Sequence, residues 1–242
     1  MEKILVVGSN GATGRLVVAQ LLEQNVDVVA ILRPSSQLPE ELTSHNNLTV
    51  IRAEISELKQ NDLIQHLDDC TGVICCLGHN LTFRGVYGQP RLLVTDTIKN
   101  ICHAIEYING GQFKLILMNT TGNSNHDLLK KPPLSQRIVI SIIRLLLPPH
   151  VDNEKAADFL HLKIGQTHQL IEWTAVRPDG LIDEESVSQY EIHTSPTRNA
   201  IFDAGVTSRI NVANFMSRLI CENELWTQWK GKMPVIYNQH QK

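Results

Sequence analysis

One stretch near the start of the chain, Lys3 to Gly14 (KILVVGSNGATG), restricts the possible folds more than any other. Ile4-Leu5-Val6-Val7 is a short apolar run, and glycines follow at 8, 11 and 14. Arg15-Leu16-Val17-Val18 then opens a helical pattern. Strand, glycine turn and helix start, in that order, make a phosphate cradle. Gly8 permits the tight turn off the strand. Gly11 leaves no side chain where backbone must approach a pyrophosphate, and Gly14 lets the helix sit close on the strand. The helix start offers unpaired N–H groups and the positive end of a dipole to an anion. A glycine turn without a ligand is the plainer alternative; the strand directly before the motif favours nucleotide binding.

The chain has 242 residues, 42% hydrophobic and 19% charged, enough for one sizeable core. A net charge of −3 gives no reason to expect nucleic acid or an acidic membrane surface as partner. The N-terminal residues read as a strand, not as a signal peptide. The longest apolar stretch, Ile138 to Leu147, contains Ser141 and Arg144 and is too short to span a bilayer. The five cysteines (70, 75, 76, 102 and 221) lack metal-type spacing, and reduced, buried thiols in a cytoplasmic protein explain them.

After the glycine turn the pattern alternates. Leu16, Val17, Val18, Leu21 and Leu22 give a helix that ends near Asn25, and Asp27 to Leu32 is a second strand. Arg33 ends it, 19 residues beyond Gly14. An acidic residue here would bind the adenosine ribose and favour NAD; an arginine pairs with a 2′-phosphate and favours NADP, with Ser35 and Ser36 as further donors. A solvated loop arginine is the alternative. Leu48 to Arg52 is a third strand, and Ala53-Glu54-Ile55 follows it beside the expected adenine. A short helix over 61–67 leads to a fourth strand, Gly72 to Gly78, apolar on both faces as central parallel strands are. Its end, Cys76-Leu77-Gly78, borders the cofactor in such a sheet. The loop His79 to Pro90, with Arg84, Gly85 and Gly88, is a substrate-side lid or a plain surface loop.

Val94, Ile98, Ile101, Ile105 and Ile108 form one stripe on a long helix from about 91 to 108, and Gly110-Gly111 ends it. Lys114 to Met118 is a fifth strand running into Asn119-Thr120-Thr121-Gly122. This alternation is an α/β, Rossmann-like doubly wound parallel sheet. Beyond the loop Lys130 to Pro133, Ser135 to Leu147 is apolar nearly all round, and so is either buried or a subunit interface. A further helix is expected to begin at Asp152 or Asn153, either of which caps it, with Gly165 interrupting it. Trp173 to Pro178 is a sixth strand ending in Asp179-Gly180. An extended segment near 190–193, a helix over about 212–221 and a last strand over 233–237 complete a small C-terminal, substrate-side extension. One NAD(P)-binding domain is expected, with its cofactor core in about 1–180 and the extension in 181–242.

With these residues assembled, the chain resembles the atypical short-chain dehydrogenase/reductase family. More narrowly it is similar to the NAD(P)H-binding branch that includes NmrA-like proteins and flavin/biliverdin-IXβ reductase. GSNGATG at Gly8 to Gly14, Arg33, Leu77-Gly78 and WTAVRPDGL at Trp173 to Leu181 carry the resemblance. It implies a Rossmann fold with NADP(H) across the strand ends. Gly8, Asn10, Gly11, Ala12, Thr13 and Gly14 would hold the phosphates, and Arg33 the 2′-phosphate. Glu54 and Ile55 would flank adenine, although the family more often has aspartate at position 54. Leu77 and Gly78 would line the ribose. Thr120 and Thr121 stand where a family serine or threonine approaches the nicotinamide, and Pro178, Asp179 and Gly180 would cover it.

Classical members use a tyrosine with a lysine four residues later as proton donor. The tyrosines here are 87, 107, 190 and 237, and none has that lysine; Lys163 follows Phe159 at this spacing. Two functions stay open. One is an NADPH-dependent reductase passing hydride to a small acceptor: a flavin, quinone, tetrapyrrole or carbonyl. There Thr120 or Thr121 would position the acceptor, the proton would come from water, and Asp179 or His79 would be relays. The other is a non-catalytic NADP(H)-sensing protein of NmrA-like type, with 135–147 as its partner surface. A monomer or homodimer suits either. No metal is expected: the histidines form no HxxxH pair, and His103 with Glu106 finds no second pair. No G-x-S-x-G elbow supports a hydrolase.

Overall fold

A computed structural model of the chain describes residues 2–79, 88–108, 110–121, 148–198 and 203–239. The loop positions Arg84 and Gly85, the 130–133 loop and the apolar stretch 135–147 lie outside the described residues.

The sequence runs β1 (Lys3–Val7), α1 (Gly14–Glu23), β2 (Asp27–Leu32), α2 (Glu40–Thr43), β3 (Leu48–Arg52), α3 (Gln60–Leu67), β4 (Gly72–Cys75), α4 (Leu93–Tyr107), β5 (Phe113–Met118) and α5 (Pro148–Phe159). It continues through β6 (Ile171–Pro178), β7 (Gly180–Ile182), β8 (Tyr190–His193), β9 (Val206–Ser208), α6 (Arg209–Cys221), α7 (Asn223–Trp229) and β10 (Val235–Asn238). One eight-stranded sheet forms in the order β3-β2-β1-β4-β5-β6-β10-β8. All its pairs are parallel except β8 on β10. This is the expected doubly wound, Rossmann-like sheet. The strand order reverses at β1, which pairs β2 on one side and β4 on the other. Ligands of such sheets bind beyond the carboxyl ends of the strands at that reversal.

β1 is buried on both faces because each face meets helices. Leu5 and Val7 pack with the layer of α3, α4 and α5. Ile4 and Val6 pack with α1, α6 and α7. On α4 the stripe Val94, Ile98, Ile101 and Ile105 is buried as its spacing requires. The C-terminal part adds β8 and β10 to the main sheet, while α6 lies beside α1, where the Gln20 side chain donates to the Ile210 carbonyl. β7 and β9 form a separate parallel pair.

Several boundaries differ from expectation. β4 ends at Cys75, so Cys76 to Gly78 is strand-end loop. α5 is described from Pro148, so Asp152 and Asn153, expected to cap it, lie inside the helix instead. α6 starts at Arg209, capped by Ser208, whose Oγ accepts the Asn211 N–H. α7 is a further helix, with Trp226 and Trp229 buried. Among the described residues no helix is long and apolar enough to cross a membrane, and no group of three metal-ligating side chains forms.

Candidate cofactor site

The glycine turn is built on contacts that exclude side chains. Gly8 has φ +75°, and a Cβ there would stand 2.8 Å from the Cys76 carbonyl group. The turn therefore presses directly on the end of β4. The Gly11 N–H closes it by donating to the Gly8 carbonyl at 3.0 Å. Ser9, fully buried, ties the turn sideways: its Oγ donates to the Ile31 carbonyl at 2.8 Å. Among the described residues, the N–H groups of Ala12, Thr13 and Gly14 have no backbone acceptor. Thr13 is buried at the start of α1, while Ala12 is exposed. α1 has no acidic residue in its first turn to offset its positive end. Three unpaired N–H groups at such an end form an anion cradle.

A cavity of about 310 Å³ opens beside this turn, within the size range of roughly 300–1,000 Å³ for small-molecule sites. Gly8, Asn10 and Gly11 line it from the turn, Arg33 from the end of β2, and Glu54 and Ile55 from the end of β3. Leu77, Gly78 and His79 line it from the end of β4. The Arg33 side chain is exposed and makes no ion pair with a described residue. Its loop is pinned from below, where Arg52 Nη1 donates to the Ser36 carbonyl at 2.7 Å. Ser36 N–H in turn donates to the Arg33 carbonyl.

The remaining site residues stand on neighbouring strand ends and do not line this cavity. Thr120 and Thr121 follow β5; Thr121 is buried, and its N–H donates to the Pro178 carbonyl at 3.1 Å, joining the ends of β5 and β6. The Thr120 N–H donates to Asn119 Oδ1 at 2.7 Å. Asp179 Oδ2 accepts the Gly205 N–H at 2.8 Å, and the Gly180 N–H donates to the Gly205 carbonyl. The Asp179 carboxylate thus anchors the β7–β9 pair. Arg177, fully buried, donates from Nε to the Met233 carbonyl, and burial pushes its guanidinium down to about 10.

Sequence reasoning did not find the Asp152 cluster. Asp152 is fully buried; its Oδ2 lies 2.8 Å from His79 Nε2 and accepts the Val94 N–H at 2.8 Å. Its Oδ1 accepts the Thr95 N–H at 2.9 Å. One carboxylate on α5 therefore caps α4 and holds the imidazole of His79 in the cavity wall. The partners are 73 and 58 positions apart, so no local pattern announces them.

A doubly wound sheet with a glycine anion cradle at its reversal point is the framework of a dinucleotide-binding protein. The chain belongs to the NAD(P)H-binding family, whose sequence model matches residues 8–223. No curated protein matches it. Solved structures share its fold at low identity. A short-chain dehydrogenase/reductase from Veillonella parvula, in complex with NADP, superposes with a TM-score of 0.68 at 16% identity, covering 98% of this chain and 94% of that one. A candidate NADH-flavin reductase from Streptococcus pneumoniae gives 0.67 at 15%, covering 99% and 100%. The anaerobillin reductase ChuY from Escherichia coli O157:H7 gives 0.68 at 16%, covering 99% and 98%.

Proposed function

We propose that the chain is an NADPH-dependent reductase that delivers hydride to a small conjugated or carbonyl acceptor. Arg33 carries this reading. It is an exposed guanidinium on the cavity wall at the end of β2, without an ion-pair partner among the described residues, where a 2′-phosphate distinguishes NADP from NAD. Ala12, Thr13 and Gly14 offer their N–H groups to the pyrophosphate. Ile55 and Leu77 supply apolar walls for adenine and ribose. The bound nicotinamide supplies the hydride; the chain orients it and keeps competing reactants out. The acceptor class follows the fold relatives, a candidate flavin reductase and an anaerobillin reductase among them. All five cysteines are free, which suits a reducing compartment such as the cytoplasm.

The test is titration of the purified protein with NADPH and NADH, followed by NADPH oxidation against FMN, a benzoquinone and biliverdin. Tighter binding of NADPH and turnover of at least one acceptor are expected. A charge-assisted hydrogen bond contributes about 1.5–3 kcal/mol, so Arg33→Ala should cost NADPH roughly 10–100-fold in affinity and leave NADH nearly unchanged. Equal losses would remove the 2′-phosphate assignment. Selective binding without any turnover would favour an NADP(H)-sensing protein instead.

A further inference from the structure

A bound dinucleotide brings more negative charge than the cavity wall answers. Its pyrophosphate is doubly charged, and in NADPH the 2′-phosphate adds to that. Among the described residues, Arg33 is the only arginine or lysine that lines the cavity, and it stands at the end of β2, where the 2′-phosphate belongs. The N–H groups of Ala12, Thr13 and Gly14 are neutral, and the dipole of α1 supplies about half a positive charge. The pyrophosphate therefore lacks a full counter-charge on the wall itself.

Arg15 stands beside this deficit. Its N–H donates to the Gly11 carbonyl at 3.0 Å, which places it one helical turn above Gly11, a residue of the cavity wall. Helical side chains lean toward the N-terminus, over the residues three and four positions before them. For Arg15 these are Ala12 and Gly11, a methyl group and a bare backbone, so neither obstructs a long side chain reaching back toward the cradle. Arg15 is exposed and makes no ion pair with a described residue. Its charge is also badly placed for the helix. A cation in the first turn opposes the positive end of the dipole, and no acidic residue there offsets it. Natural sequences break such local rules mainly at functional sites.

We propose that Arg15 is a pyrophosphate-binding residue, whose guanidinium reaches over the cradle from its solvent side and pairs with the dinucleotide there. This rests on the cofactor reading above and not on which acceptor is reduced. The two arginines then divide the ligand between them. Arg33 meets the 2′-phosphate and sets the preference for NADPH. Arg15 meets the pyrophosphate, which NADPH and NADH share, and contributes affinity without selectivity. Its unfavourable place in the empty helix is offset only when the anion arrives.

Two measurements on the full chain test this. The first is titration with NADPH and with NADH, at low salt and at about 1 M salt, where the Debye length falls to roughly 3 Å. Arg15→Ala should weaken both dinucleotides by the same factor, about 3–10-fold at low salt and less at high salt, because an exposed charge pair is screened. Arg15→Lys keeps a cation that binds phosphate as a point charge, and should hold both affinities within about twofold of wild type. The second is a thermal melt without cofactor. Arg15→Ala should raise Tm by about 1–2 °C, since a cation leaves the positive end of α1. Weaker binding by a more stable protein is a result that a structural role for Arg15 does not give. Unchanged affinity in Arg15→Ala overturns the proposal. So does a loss confined to NADPH, which would move Arg15 to the 2′-phosphate, and so does a lower Tm accompanying the weaker binding. A wild-type protein that binds neither dinucleotide overturns the cofactor reading and the proposal with it. One that binds NADH as tightly as NADPH overturns the NADPH preference alone, because Arg15 is judged on both dinucleotides.

Discussion

Gly14 and Gly8 meet without room for a methyl group: a Cβ at Gly14 would stand 2.1 Å from the Gly8 carbonyl oxygen. That oxygen also accepts the Gly11 N–H, so it cannot turn away without opening the loop. Gly14→Ala must therefore push the start of α1 off β1. Overpacking of this kind costs about 1–3 kcal/mol, or roughly 2–4 °C of Tm per kcal/mol at this chain length. Since the shifted atoms belong to the anion cradle, NADPH affinity should fall by at least an order of magnitude as well. A thermal melt and an NADPH titration check both; unchanged affinity would separate the turn from phosphate binding.

Ser9 fastens the same turn to β2. Replacing it with alanine removes the Oγ donor from the Ile31 carbonyl and leaves a buried acceptor short of one partner, at a cost of about 1–3 kcal/mol. Ser9→Ala should lower Tm by several degrees while retaining most NADPH affinity, because the backbone donors of the cradle stay in place. Thermal melting and titration of the variant distinguish this from Gly14→Ala, where affinity should suffer more than Tm.

The parts of the fold legible in the sequence are those with strong local periodicity. β1, β2, β3, β5 and β6 are short apolar runs ended by turn residues, and the α4 stripe repeats at helical spacing. The tight glycine turn was legible because Gly8 and Gly14 each answer a local steric demand. One failure has a clear physical cause. α7 is only seven residues long, and of its residues only Trp226 and Trp229 are buried, with Leu225 packed partly against the core, too few to make a pattern. The Asp152–His79 contact was illegible for a different reason: it joins two distant segments and depends on how α5 docks beneath the strand ends.

The cysteines predict an alkaline limit. Burial pushes the thiol of Cys70 to about 11 and that of Cys75 to about 12, from an ordinary value of 9.0. Native thiols at these positions hold their protons where unfolded ones lose them. Their stabilising effect is intact below about pH 9 and is lost as pH rises from there through the native values. Tm should therefore be flat between pH 7 and 8.5 with respect to these groups and fall above pH 9. At pH 8 a thiol-reactive dye should label the half-buried Cys221 first and the fully buried Cys75 only on unfolding. Fast native labelling of Cys75 would contradict its burial.

Arg33 and Arg52 form the last testable pair, because the second holds the loop that presents the first. Arg52 Nη1 donates to the Ser36 carbonyl at 2.7 Å, and the Ser36 N–H returns to the Arg33 carbonyl at 2.9 Å. Removing Arg52 frees this loop without touching the Arg33 charge. Arg52→Ala should then weaken NADPH by a few-fold, less than Arg33→Ala, with little effect on NADH. If Arg52 acts only by positioning Arg33, its removal should matter little once Arg33 is gone. The double variant should bind NADPH as weakly as Arg33→Ala alone, a non-additivity that a double-mutant cycle reads directly. Additive losses would mean instead that Arg52 meets the 2′-phosphate itself, and that the phosphate sits between the ends of β2 and β3.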